Sequence, residues 1–175
     1  MAANKAYSSP QTIFRSKQIH RNNKIKLYKT LTKPLLCYGS VTWTLRQTAE
    51  QMLKTFERKI LRRMYGPIQE WGRWRPRWKC ELYSLYYEPN IVEDVKIRRL
   101  GRAGHIIMEE ERIPKKVLNR NFYTTRPVGW PRTKWADVVQ RDALQLLGIR
   151  GWRRRAENRD EWRRLMREAK ARKGL

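Results

Sequence analysis

Residues 96–118 read KIRRLGRAGHIIMEEERIPKKVL. Ile97, Leu100, Gly104 and Ile107 recur at three- and four-residue intervals, the period of a helix with one apolar face. Lys96, Arg98, Arg99 and Arg102 make the rest of its surface basic. Asn90 with Glu93 supplies a start signal for this central helix. Each of Gly101 and Gly104 costs a helix about 1 kcal/mol relative to Ala, so the pair predicts a close helix–helix approach or a break. The pair also fits the GxxG loop with which KH domains clamp a nucleic-acid backbone, but that fold needs strands, and no strand-like alternation stands out. His105 has no partner carboxylate or nucleophile in the pattern, so it reads as a capping or packing residue.

Upstream, Asn22 and Asn23 can cap a helix beginning near Lys24. Leu27, Leu31, Leu35 and Tyr38 form its apolar line, with Lys24, Lys26, Lys29 and Lys33 mostly on other faces. Pro34 lacks a backbone donor and crowds the preceding turn, which predicts a kink or two helices meeting. Thr48 with Gln51 reads as a capping box for the next helix. Leu53, Phe56, Ile60 and Met64 are its stripe, and Lys54, Arg58, Arg62 and Arg63 its outer face. Gly66-Pro67 stops it.

Residues 67–80, PIQEWGRWRPRWKC, read as a loop in which Trp71, Trp74 and Trp78 alternate with Arg73, Arg75 and Arg77. Two readings stand side by side. In one, rings stack on bases while guanidiniums hold phosphates. In the other, the loop folds back with Trp in the core and Arg in water. A short aromatic helix, residues 81–87, ends at Glu88-Pro89.

Downstream of the central helix come Lys115 and Lys116, then a linker around NFYTTRPVGW. A helix follows from about Arg132, just before Lys134, with Trp135, Val139, Ala143 and Leu146 on one face and Gly148 as its stop. Asn158 with Glu161 caps the last helix, whose line is Trp162, Leu165, Met166 and Ala169. The chain therefore reads as all-α. Its segments are helices over 1–66, the Trp/Arg loop and short helix over 67–89, the central helix over 90–120, a linker over 121–131 and a helical module over 132–175.

The composition narrows the partners. Lys plus Arg total 41 against 16 acids, a net charge of +25. Such an excess repels itself unless a polyanion neutralises it, and nucleic acid does so with release of condensed counterions. A membrane surface fits less well, because the charge is spread along the chain and is not set beside a lipid anchor. Eight Trp predict anchors for a small helical core. Cys37 and Cys80 define no disulfide framework, which predicts a reducing compartment. His20 and His105 are the only histidines, and without CxxC or HxxxH spacing no zinc site is expected. The opening MAANKAYSSPQTIF lacks the apolar core of a secretory signal.

An ordered series of short matches covers nearly the whole chain. Ala3-Asn4-Lys5-Ala6-Tyr7 comes first, then Lys26-Leu27-Tyr28-Lys29-Thr30-Leu31, Tyr38-Gly39-Ser40-Val41-Thr42-Trp43 and residues 56–63. Glu81-Leu82-Tyr83, Gly104-His105, residues 112–118, residues 131–137 and residues 159–163 continue it. Together they resemble the thumb and following C-terminal region of the endonuclease–reverse transcriptase of non-LTR retrotransposons. The resemblance implies thumb-like helices over 1–66 and a role in holding template and primer, whether RNA, DNA or hybrid. It places the polymerase carboxylates in an upstream palm, whose Tyr-x-Asp-Asp hairpin binds Mg2+. This chain has no Asp-Asp pair. The expectation is thus a non-catalytic chain without a cofactor of its own. Its partners would be nucleic acid and the missing polymerase core, in a nuclear or cytoplasmic ribonucleoprotein. Lys24, Lys26, Lys29, Arg58, Arg62, Arg63, Arg73, Trp74, Arg75, Arg77, Lys96, Arg98, Arg99, Lys115, Lys116, Arg132 and Lys134 are the candidate contacts. The sequence departs from the family at Val41, Arg102 and Trp130, where the family has Glu, Trp and Arg. The change at Arg102 predicts a lost core anchor.

Overall fold

The computed structural model describes residues 11–108, 113–119 and 133–172. Over these the chain is predominantly α-helical, as the periodicity predicts, with a single two-stranded sheet. No helix among the described residues is long and apolar enough to cross a membrane. The chain divides into two compact units, Met1–Ser40 with Arg46–Glu93, and Val41–Leu45 with Asp94–Leu175.

In the first unit, α1 (Gln11–Arg15) and α2 (Arg21–Leu27) precede a π-helical turn, Tyr28–Thr32, and α3 (Lys33–Cys37). The cap of α2 is His20, whose Nδ1 accepts the Asn22 N–H at 3.3 Å, and not Asn22 or Asn23. Pro34 acts where the sequence places it, but by widening the helix ahead of it: the Lys33 N–H reaches back five residues to the Tyr28 carbonyl. The extra residue in that turn rotates the faces. Tyr28, Thr32, Lys33, Leu36 and Cys37 are buried, while Leu31, Leu35 and Tyr38 of the expected apolar line stand exposed.

Helix α4 (Gln47–Tyr65) starts at Arg46 with no side-chain cap, so the Thr48/Gln51 capping box does not form. It buries Ile60, Leu61, Met64 and Tyr65 and stops at Gly66, whose φ of 71° suits glycine. These residues pack with Phe14, Tyr28, Leu82 and Tyr86 into one core. Inside it lies a carboxylate: Glu57 accepts the Tyr28 hydroxyl at 3.1 Å, the Tyr83 hydroxyl at 3.0 Å and the Ile91 N–H at 3.1 Å. Burial raises its pKa despite these donors. Burial, then the nearby Glu57 charge, likewise raises both tyrosines.

The stretch read as a loop contains the sheet. β1 (Ile68–Glu70) pairs antiparallel with β2 (Arg73–Arg75), Glu70 opposite Arg73 and Gln69 opposite Trp74. α5 (Lys79–Tyr86) follows and closes on Tyr87 in the left-handed region.

The second unit is built on α6 (Ile91–Met108), α8 (Trp135–Leu147), α9 (Trp152–Glu157) and α10 (Arg159–Arg172), with α7 (Ile113–Asn119) between α6 and α8. Asn90 caps α6 by accepting the Val92 and Glu93 N–H groups at 3.1 Å. Asn158 caps α10 in the same way, and Gly148 ends α8. Ile97, Leu100, Ala103 and Ile107 meet Val139, Ala143, Trp152, Trp162 and Met166 in its core. The Trp135 indole N–H donates to the Val41 carbonyl at 2.8 Å, which ties the 41–45 segment to this unit.

Helix α6 runs unbroken through both glycines, so the GxxG loop is excluded and the close-approach reading holds at Gly104. A Cβ there would lie 2.0 Å from Nε1 of Trp162, whereas at Gly101 the nearest atom is Cε of Met166 at 4.0 Å. The two positions therefore carry opposite predictions. Gly101→Ala is expected to stabilise by up to about 1 kcal/mol through helix propensity. Gly104→Ala is expected to cost about 2 kcal/mol through overpacking against a rigid ring. Chemical denaturation of the two variants checks both signs. Arg102 is exposed, and other residues of the helix enter the core of this unit.

Candidate nucleic-acid interface

The sheet presents its aromatics outward. Trp71, Trp74 and Trp78 are 96%, 67% and 63% exposed, which overturns the reading in which this segment buries its tryptophans. Trp152 and Trp162 are the fully buried indoles among the described residues. The turn explains part of the arrangement. Trp71 and Gly72 are its two central residues, with φ of 51° and 75°, the combination of a type I′ hairpin turn.

The arginines of the hairpin are not equivalent. Arg75 donates from Nη1 and Nη2 to the two oxygens of Glu81 at 3.0 and 2.7 Å, and from Nε to Glu70. Its guanidinium also lies 5.5 Å from the centre of the Trp78 ring. That guanidinium, with the Trp78 N–H at 2.7 Å, holds the Glu81 carboxyl down at about 2. Arg75 is raised in turn by the same two carboxylates. Its charge therefore serves to fasten the hairpin to the start of α5, a correction to its expected phosphate role. Arg77 is half-buried. Its carbonyl accepts from Nε of Arg62 at 3.3 Å, and its own Nε lacks a hydrogen-bond partner. Arg73 is exposed.

The other expected contacts of the first unit divide similarly. Lys26 and Arg62 are exposed. Lys24 is buried. Lys29 is ion-paired with Glu88 and lies 5.9 Å from the Tyr86 ring centre. Arg58 donates to Thr55 at 2.9 Å, and Arg63 is half-buried. The structure thus joins Arg73, Trp74 and Arg75 in one hairpin and brings Arg62 against the Arg77 backbone just after it. Trp71 and Trp78 belong with this group. Both were marked with Trp74 by the alternation of Trp and Arg, whereas the turn itself was marked only by the Trp71-Gly72 step, without the Asn that usually signals it.

In the second unit Lys96 donates to Gln145 at 3.0 Å, and Arg98 pairs with Asp94 at 3.1 Å. Arg99 is not a surface cation. It is fully buried, with Nη1 2.6 Å from Oδ2 of a fully buried Asp142. Lys115 is half-buried, Lys116 and Lys134 are exposed, and Arg132 lies outside the described residues. His105 is exposed and lines an open groove of about 1190 Å³ with buried Trp162 and Met166 and exposed Asp160, Arg163 and Arg167.

Comparison with known proteins gives one relevant likeness. Over 146 residues the chain is 25% identical to a transposon-derived, uncharacterized protein of Caenorhabditis elegans, a match that covers 79% of this chain and 52% of the relative. The chain thus spans about half the length of that relative. No family model matches the chain, and no solved structure does. What the comparisons support is a likeness to a transposon-derived protein.

Proposed function

We propose that this chain is a non-catalytic, nucleic-acid-holding portion of a reverse transcriptase derived from a non-LTR retrotransposon. The observation that carries this reading is the hairpin. Exposed Trp71, Trp74 and Trp78 share one short segment with exposed Arg73, and exposed Arg62 donates to the Arg77 carbonyl within it, in a chain of net charge +25. Rings left in water beside cations suit an anionic aromatic polymer better than any solvent-facing role. The likeness to a transposon-derived protein and the ordered thumb-like segments agree with it. Catalysis would belong to a palm elsewhere, since this sequence carries no Asp-Asp pair. The polymerase core is the protein partner, and the setting is a nuclear or cytoplasmic ribonucleoprotein.

Binding of labelled RNA, DNA and hybrid oligonucleotides, followed by fluorescence anisotropy, tests this. All three are expected to bind with little sequence preference, because phosphate contacts position but do not specify. Primer extension with Mg2+ should give no product. Absence of binding, or incorporation of nucleotides by the chain alone, overturns the proposal. A transposon remnant without a retained role is the second reading, favoured by the relative's origin. It predicts no cooperative helical melt, whereas two buried cores predict one.

A further inference from the structure

Trp71 occupies a position that neither the backbone nor the core asks for. A type I′ turn prefers Asn, Asp or Gly at its first central residue, because φ is positive there. A bulky residue at φ of 51° is strained. A residue 96% exposed gains nothing from burial. Strain held at an exposed position points to a use for the side chain. The hairpin around it is rigidly held, since Arg75 bridges Glu70 on β1 and Glu81 on α5. That bridge leaves Arg73 as the exposed cation of the hairpin itself, so its rings outnumber its phosphate-seeking groups. A clamp for duplex backbone needs the reverse ratio. In a duplex the base faces are already stacked on one another. Only an unpaired base offers a face to an indole.

We infer that the hairpin of residues 68–75 is a stacking platform for unpaired bases, with Trp71 and Trp74 as the rings and Arg73, on the face of β2 opposite Trp74, as the nearby cation. This rests on the proposed nucleic-acid function and specifies single strands as the ligand of this site. The test compares three labelled probes of about 12 nucleotides: oligo(dT), an abasic backbone of equal charge, and a blunt duplex. The full chain is expected to bind oligo(dT) about tenfold or more tighter than the abasic strand, one stacked base per ring. Trp71→Asn restores the preferred Asn-Gly turn, so it should keep or raise the melting temperature. It should nevertheless lower oligo(dT) affinity about tenfold and leave the abasic strand unchanged. Trp74→Ser is expected to act in the same direction. Equal affinity of the wild-type chain for oligo(dT) and the abasic strand overturns the platform while leaving nucleic-acid binding intact. Variants that bind all probes like wild type also overturn it, and would turn the surface towards a protein partner. Failure of every probe to bind overturns the platform and the proposed function together.

Discussion

Asp142→Ala is expected to destabilise the second unit by about 4 kcal/mol, because it removes a buried carboxylate that the buried Arg99 guanidinium meets in the core. Both side chains are fully buried and meet at 2.6 Å. The attraction of such a pair roughly offsets the cost of taking both ions out of water, and removing one partner takes that attraction away while the other ion stays buried. The expected readout is a loss in melting temperature of roughly 20 °C, at several degrees per kcal/mol for a unit of this size. The double change Arg99→Met with Asp142→Val removes both charges and roughly keeps the combined volume. It is expected to melt close to wild type. An Asp142→Ala variant as stable as a surface substitution would show that the pair does not hold this core.

Glu57→Ala is expected to cost the first unit a similar amount, about 4 kcal/mol, by a different route. It removes the acceptor of three donors, leaving the Tyr28 hydroxyl and the Ile91 N–H buried and the Tyr83 hydroxyl half-buried without it. Each unsatisfied group costs roughly 1–3 kcal/mol, and the cavity adds to this. Glu57→Gln keeps the shape and one carbonyl but presents an NH2 group to donors, so an intermediate loss is expected. The pH dependence has a defined sign. The Glu57 pKa is raised from 4.5 in the folded chain, chiefly by burial, so the folded state holds the proton more tightly than the unfolded one. Its contribution is fully present below the unfolded value and is lost as pH rises through the folded one. Urea titrations should therefore show the stability of wild type relative to Glu57→Gln falling as pH is raised from about 4 towards neutrality. A difference that grows over that window would contradict the buried, desolvated carboxylate.

The residues that made the fold legible are those where local and tertiary demands coincide. Ile60 and Met64 on α4, Val139 and Ala143 on α8, and Trp162 and Met166 on α10 lie on one face and are buried on it. Gly66, Gly148 and Asn158 stop or cap where their chemistry says they should. Legibility failed where one element changes the period of another. The π-helical turn ahead of Pro34 adds a residue to the turn, so Leu31, Leu35 and Tyr38 rotate outward although their spacing is helical. It failed again where charge sits on the apolar line. Arg99 falls in step with Val95 and Ala103, and Asp142 beside Val139 and Ala143. Each reads as a surface residue until its partner from the other helix is seen.

The candidate interface was half legible. Alternating Trp and Arg marked the segment, but two strands of three residues each are too short for periodicity to register. Nor could spacing separate Arg73, left in solvent, from Arg75, taken by Glu70 and Glu81. That distinction depends on the hairpin folding back onto the first turn of α5.

The salt dependence of oligonucleotide binding tests the nucleic-acid-holding role most directly. Lys26, Arg62 and Arg73 of the first unit are exposed. Neutralising three phosphates of a single strand predicts a line of log affinity against log salt with a slope of about −2 or steeper. That slope should persist in Trp71→Asn, which removes a ring and no charge. Binding that is undetectable at low salt, or an affinity that does not change as salt is raised, would contradict the role.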